Sequence, residues 1–227
     1  HTFDGVYQLT DFQRGDLKST KTAISTGTLG FEQQWGLDPL GTWSSFKEDS
    51  DGNGSWDLNQ TRTSNKVNEI TGISGGSWAV PAYDRSGNMT TMPQPNTPTS
   101  EYTATYDAWS RLVKLTSGSS TVAEYQYDAH RWRVLIIEYS GGTLLDSRHS
   151  FYTAQWQPIE EQLTSSPNLD RQFVWGIRYI DDLILRDRDS SSPRDGTRDG
   201  RLYSLQDTKW NLVSVASNSA VIKERRI

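Results

Sequence analysis

A phrase that opens on an aromatic residue or leucine followed by aspartate returns five times in this chain, and nothing else in its 227 residues constrains the fold so tightly. The copies read Phe3-Asp4-Gly-Val-Tyr-Gln8-Leu9-Thr-Asp-Phe12, Leu37-Asp38-Pro-Leu-Gly-Thr42-Trp43-Ser-Ser-Phe46, Tyr83-Asp84-Arg-Ser-Gly-Asn88-Met89-Thr-Thr-Met92, Tyr106-Asp107-Ala-Trp-Ser-Arg111-Leu112-Val-Lys-Leu115 and Tyr127-Asp128-Ala-His-Arg-Trp132-Arg133-Val-Leu-Ile136. With each aspartate as position zero, position four is Gln8, Thr42, Asn88, Arg111 or Trp132, position five is mostly apolar, and position eight is apolar throughout. Two looser copies are Ser64-Asn65-Lys-Val-Asn-Glu69-Ile70-Thr-Gly-Ile73 and Gln206-Asp207-Thr-Lys-Trp-Asn211-Leu212-Val-Ser-Val215. From Asp4 through Asp38, Asn65, Asp84 and Asp107 to Asp128 the steps are 34, 27, 19, 23 and 21 residues. A unit of about 20 residues cannot bury an apolar face alone and must stack on copies of itself. Insertions between copies are absorbed by loops.

The local signals are those of short strands and tight turns. Thr121 to Tyr127 alternates with period two, setting Ala123, Tyr125 and Tyr127 on one face and Val122, Glu124 and Gln126 on the other. Arg171 to Leu185 is expected to continue in the same style, with Phe173, Trp175, Ile177 and Tyr179 on one side. Between such runs lie Gly75-Gly76, Ser86-Gly-Asn88, Ser117-Gly-Ser-Ser120 and Gly141-Gly142, residues that accept the positive φ of hairpin turns. No segment carries helical spacing with caps over three turns. Pro93-Gln-Pro95-Asn-Thr-Pro98 reads as an ordered connector. Nine Trp, ten Tyr and six Phe stand where an α/β enzyme would carry aliphatic residues, and aromatics suit pleated surfaces. The expected fold is all-β: repetitive β-hairpins in a single domain over residues 1–227.

Charge and composition narrow the partners. A net charge of -5 with interspersed signs gives no basic stripe for phosphate, so no nucleic acid is expected. The short stretch from Lys223 to Arg226 reads as a charged sheet edge. A mean hydropathy of -0.71 and the lack of any apolar run near 20 residues argue against a membrane helix. The absence of cysteine removes disulfides and thiol chemistry without locating the protein.

The phrase at Tyr106, Asp107 and Arg111, followed after Gly118 by Ala123-Glu124-Tyr125-Gln126-Tyr127-Asp128-Ala129, resembles the bacterial YD-repeat or RHS family, to which toxin-complex shells and teneurins are related. The resemblance runs from about residue 3 to the end, and residues 202–227 resemble the start of the RHS-associated core region. The unit at Asp128 departs from it, with Trp132-Arg133 where the family favours a Gly-Arg-Leu-like sequence. The resemblance implies hairpins wound side by side into a spiral sheet that closes into a hollow shell, of which this chain is one part. It also implies a structural protein of the bacterial surface or exterior, holding a C-terminal toxin cargo and pairing with other segments of the same polypeptide or with further copies. The self-cleavage segment that ends many such cores has no counterpart here, so no autoproteolysis is assigned.

Phe3, Asp4, Asp38, Tyr83, Asp84, Tyr106, Asp107, Arg111, Tyr127, Asp128 and Asp207 are accordingly expected to be structural. Each aspartate would accept backbone N–H bonds in the following turn, while the tyrosine covers the neighbouring hairpin with its ring and reaches the edge with its hydroxyl. No catalytic residue is expected. Glu160-Glu161 and Asp181-Asp182 are adjacent and point to opposite faces, which unsuits them to glycoside chemistry. His1, His130 and His149 lack ligand spacing, and no Gly-x-Ser-x-Gly elbow is present.

Outside the repeats, Asp49-Ser-Asp51-Gly-Asn53-Gly54-Ser55-Trp-Asp57 offers oxygens at loop positions one, three and five, glycine at six, a carbonyl at seven and an acid at nine. That is the pattern of a Ca²⁺ loop, with Gln60 in place of the closing glutamate; the same residues also suit a plain acidic hairpin tip. A second acidic insertion, Asp187 to Gly196, lacks the glycine at six and reads as a solvated loop. Trp109, Trp132, Trp156 and Trp210 either pack hairpin on hairpin or stack on sugar rings. Two rivals to the shell therefore stay open: an adhesive or filament-forming module that grows by strand addition, and a carbohydrate-binding module.

Overall fold

Apolar or aromatic residues alternate with polar ones between Gly, Asn and Asp turn residues, and most runs so bounded form strands. In the computed structural model, residues 1–166, 168–191, 195–209, 211–219 and 221–225 are described. They contain strands and turns and no helix, so none is long and apolar enough to cross a membrane. The contacts divide the chain into two units, His1–Arg111 and Leu112–Ile227.

The first unit holds β1 (Thr2–Phe3), β2 (Leu9–Leu17), β3 (Ile24–Leu37), β4 (Trp43–Asp49), β5 (Leu58–Ser64) and β6 (Ile70–Ser74), paired antiparallel in chain order. It also holds the antiparallel run β7 (Ala82–Tyr83), β8 (Met89–Gln94) and β9 (Thr97–Tyr106). The proline-rich segment is the β8–β9 hairpin itself, with Gln94 opposite Thr97 around Pro95 and Asn96. In the second unit, β10 (Leu112–Ser117), β11 (Ser120–Tyr127), β12 (Arg133–Ser140), β13 (Thr143–Tyr152), β14 (Pro158–Leu163), β15 (Leu169–Trp175), β16 (Leu183–Arg188), β17 (Leu202–Gln206), β18 (Leu212–Ser217) and β19 (Ile222–Arg225) follow one another antiparallel.

Within each unit a strand packs against its neighbours in sequence, as in a one-dimensional repeat array. The interior is correspondingly thin. Among the described residues the buried apolar side chains are Phe46, Ala104, Ala123 and Leu163. Register sets Trp35 opposite Phe46 and Phe46 opposite Gln60, and a tilted and stacked cluster of Trp35, Trp43 and Phe46 forms on that face. The Arg62 guanidinium covers the Trp43 ring at 4.9 Å. Side chains that read as solvent-facing in the sequence complete the interior: Asp49, Gln60, Asp170, Asp182 and Asp189 are essentially inaccessible.

The expected alternation through Arg171 to Leu185 is corrected. β15 stops at Trp175, and Ile177 and Tyr179 lie in the loop that follows, Ile177 fully exposed. The reason is local. Gly176 donates its N–H to the Asp182 carbonyl at 2.7 Å, while the Asp182 carboxylate sits where a side chain on residue 176 would stand. Arg178 closes the loop on Asp182 with bonds of 3.1 and 3.2 Å.

Candidate functional site

The repeated aspartate is a turn clamp. In the clearest copy, Asp107 Oδ1 accepts the N–H groups of Trp109 and Arg111 at 2.9 and 3.0 Å, and Oδ2 accepts Arg111 Nε at 2.6 Å. The backbone closes the loop twice, Asp107 N to Arg111 O and Ser110 N to Asp107 O, both at 3.0 Å. Asp4, Asp38, Asp84 and Asp207 grip the second and fourth residues after them in the same way, as does Asn65. Asp128 holds Trp132 N at 2.9 Å. The fourth residue reads the second oxygen: Asn88 and Asn211 donate their amides to Asp84 and Asp207 at 2.8 and 2.9 Å, where Arg111 uses its guanidinium. This explains the polar preference at that position.

The third residue of the clamps at Asp4, Asp38, Asn65, Asp84, Asp107 and Asp128 has left-handed backbone, with φ from 59° at Ser110 to 81° at Gly41 and Gly87. Only glycine takes this conformation without strain, of about 1–2 kcal/mol for other residues. Tyr7, Asn68, Ser110, Arg131 and Trp156 nevertheless occupy it. Arg131→Gly is expected to raise stability by about 0.5–1 kcal/mol, the relieved strain less the extra freedom glycine gives the unfolded chain. A denaturant midpoint that stays or falls in R131G refutes it.

The aromatic residue at the first position of several copies joins successive hairpins. Tyr106, Tyr127 and Tyr152 donate their hydroxyls to the carbonyls of Met89, Leu112 and Arg133 at 2.9, 2.8 and 2.8 Å. Each acceptor is the fifth residue after the preceding clamp. Tyr83 meets the same position from the acceptor side, receiving Ile70 N at 3.3 Å. Two copies escaped the sequence reading. Tyr152-Thr153 uses the threonine hydroxyl for Gln155 N and Gln157 N at 3.2 and 3.4 Å, and Trp175-Gly176 uses the indole N–H, bonded to Pro158 O at 2.6 Å. Tyr152 and Gln157, at the aromatic and fourth positions, were the available signal for the first; nothing short of the indole's role marked the second.

Clamp chemistry sets an acid limit. The Asn88 amide, with the N–H groups of Asn88 and Ser86, holds Asp84 below its ordinary 3.8, and the Asn211 amide does so for Asp207. Burial works to raise Asp107, but the Arg111 N–H and guanidinium and the Trp109 N–H outweigh it. A carboxylate depressed in the folded state contributes stability that is complete above its unfolded value and is lost as pH falls through its folded value. These clamps are therefore expected to leave stability flat from about pH 5 to 8 and to give way below about 4, read by fluorescence-monitored unfolding across pH 7 to 2. A loss centred between pH 5 and 7 would contradict this assignment.

The acidic loop after β4 brings three of its expected ligands together: ligand oxygens of Asp49, Asp51 and Asp57 lie within 4.8 Å of one another. Asp49 is buried and already takes Gly52 N, Asn53 N and Gly54 N at 2.7, 3.2 and 2.7 Å. Asn53 takes Ser55 N at 2.8 Å and gives its amide to Asp51, while Asp57 takes Ser50 N and Oγ at 2.8 and 2.6 Å. Gln60 lies in β5, buried, and accepts Arg62 Nη2 at 2.9 Å. Hydrogen bonds thus define this loop. In the second insertion, Asp187 pairs bidentately with Arg201 at 2.7 Å, and the buried Asp189 takes Ser191 N and Gly196 N.

Of the other candidates, Glu160 and Glu161 do diverge, to Gln162 and to Arg148 with Arg171 respectively. Asp182 is buried beside exposed Asp181. His149 Nε2 lies 3.2 Å from Thr164 Oγ1, and His130 lies 3.7 Å from Asp128. Trp109 is exposed beneath the Arg111 guanidinium. Trp132 packs tilted on Tyr152 and edge-on to Trp156, which is 66% exposed. Trp210 and Arg226 lie outside the described residues.

No family model and no curated protein match the sequence. Among solved structures, the crystal structure of TcdB2-TccC3-TEV aligns with 97% of this chain at 11% identity and a TM-score of 0.49. The crystal structure of TcdB2-TccC3 aligns with 97% at 12% identity and a TM-score of 0.34. The Tc holotoxin pore of Photorhabdus luminescens aligns with 88% at 10% identity and a TM-score of 0.31. The chain spans 12%, 15% and 15% of those chains.

Proposed function

We propose that this chain is a non-enzymatic wall segment of a larger β-scaffold of the bacterial surface or exterior, which encloses or presents a cargo by continuous strand pairing. The joint between hairpins carries this reading. Each clamp fixes one turn, and Tyr106, Tyr127 and Tyr152 each tie their hairpin to the fifth residue after the preceding clamp, a contact that can extend an array by repetition. The repeated aspartates of the clamps are engaged in turn hydrogen bonds, which supports a structural role for them. The second residue of several clamps points an apolar side chain outward: Val6, Leu40, Val67 and Trp109 are all exposed. Such tips suit cover by further segments of the same polypeptide or by further copies.

Electron microscopy of the secreted polypeptide that contains this chain tests the proposal. Closed or spiral hollow particles with internal density are the expected result. Open filaments would replace it with strand-addition assembly, and dispersed monomers without a lumen would overturn both.

A further inference from the structure

One cleft in the second unit is furnished for a ligand that the wall does not require. It encloses about 460 Å³ and is lined by Gln155, Trp156, Gln157, Trp175, Ile180 and Asp181. Trp156 occupies the third position of its clamp at φ 69°, the slot that Gly41 and Gly87 fill in two other turns. A large side chain held in that backbone and left 66% exposed contributes little to packing beyond its edge-on contact with Trp132 at 5.9 Å. Tyr7, Asn68, Ser110 and Arg131 hold the equivalent slot in other clamps, and Trp156 is the one that borders this cleft.

The rest of the cleft is held in place. The Trp175 indole is fixed by its bond to Pro158 O, so the ring serves as a wall. The loop carrying Ile180 and Asp181 is pinned by Gln157 Nε2 to Ile180 O at 2.8 Å and by Gln206 Nε2 to Asp181 O at 3.1 Å. An aromatic face with planar amides and one carboxylate at its margin matches a pyranose ring, which offers C–H groups on a face and hydroxyls around its rim. A purely apolar ligand would cover the Gln155 amide and the Asp181 carboxylate without offering them partners. Asp181 disfavours sulfated or sialylated sugars by like charge.

We propose that this cleft is a binding site for a neutral pyranose unit of a glycan, with Trp156 as its stacking platform and Gln155 and Asp181 as hydroxyl partners. The site is independent of the scaffold role and stands or falls separately.

The test is titration of the ¹⁵N-labelled protein with chitotriose, maltotriose and lactose, with 3′-sialyllactose as the anionic comparison. The Trp156 indole resonance is assigned from Trp156→Phe. At least one neutral sugar is expected to move that resonance with a dissociation constant of about 1 mM, an affinity usual for one shallow contact. Trp156→Gly is expected to weaken binding at least tenfold while shifting the unfolding midpoint by no more than about 4 °C. Gln155→Ala, at an exposed side chain, is expected to weaken it several-fold, and Trp109→Ala to leave it unchanged. Silence of the Trp156 indole to every neutral sugar at about 10 mM overturns the proposal, as does undiminished binding by Trp156→Gly or Gln155→Ala.

Discussion

Asp170→Ala is expected to cost about 3–5 kcal/mol of stability, the usual penalty for removing one partner from a buried ionic cluster. Asp170 is fully inaccessible at the start of β15. Its Oδ2 bonds Arg148 from β13 and lies 3.5 Å from Arg171 Nε, while Arg188 Nε from β16 approaches Oδ1 at 4.0 Å. Glu161 on β14 takes Arg148 and Arg171 at 3.2 and 3.0 Å. Burial opposes the charge on Arg148, but the bond and charge of Asp170, with Glu161, raise its affinity for the proton. For Arg171, burial and the neighbouring Arg148 charge prevail, and its proton is held less tightly than usual. The two carboxylates therefore balance a group of like charges that Glu161 alone cannot hold. Arginines stand directly opposite each other at Arg171 and Arg188, an arrangement that is destabilising without an acid between them. Urea unfolding followed by tryptophan fluorescence should show a lower midpoint at unchanged slope. Arg148→Met combined with Asp170→Ala should recover part of the loss, because the isolated charge goes with its partner. A single-mutant loss below about 1 kcal/mol would show that the cluster is solvated and contributes nothing.

This cluster also marks where the sequence stops being legible. An acid in a strand reads as a solvent-facing residue, and Asp170 carries no local sign of burial, because its partners come from other strands; Asp189, just past β16, reaches Gly196 N seven residues on. The clamps were legible because donor and acceptor lie within four residues of each other, so sequence spacing is nearly spatial geometry. Thr153 and Trp175 were missed for the complementary reason. The turn needs an oxygen and the joint needs a donor, and a hydroxyl and an indole N–H satisfy those needs without resembling aspartate or tyrosine. Alternation misled at Ile177 and Tyr179, since period two persists through a loop when its residues happen to be apolar, and only Gly176 signalled the bend. The cleft beside Trp156 could not be anticipated in detail. Trp156 itself was a candidate, but the loop that walls the cleft was expected to be strand.

The acidic loop offers a paired experiment in which two glycines separate backbone strain from crowding. Gly52 and Gly54 both have positive φ, 72° and 84°. A side chain on Gly54 would meet nothing within 4 Å, whereas one on Gly52 would run into the carbonyl of Leu29 and the Cα of Gly30 on β3. Gly54→Ala therefore carries only the cost of a left-handed alanine, about 1–2 kcal/mol. Gly52→Ala adds displacement of β3 backbone, which cannot rotate away as a side chain tip would, and should total about 3–4 kcal/mol. Asp49 makes this displacement hard to absorb. Its carboxylate ties Gly52, Asn53 and Gly54 to the end of β4, so moving the loop outward breaks bonds on both oxygens of a buried acid. Asp49→Asn should then act in the same direction as Gly52→Ala, because an amide in place of one oxygen turns a donor toward the N–H of Gly54 or of Gly52. Equal losses in Gly52→Ala and Gly54→Ala, measured by the same urea titration, would show that the loop floats free of β3 and that the buried aspartate is not its anchor.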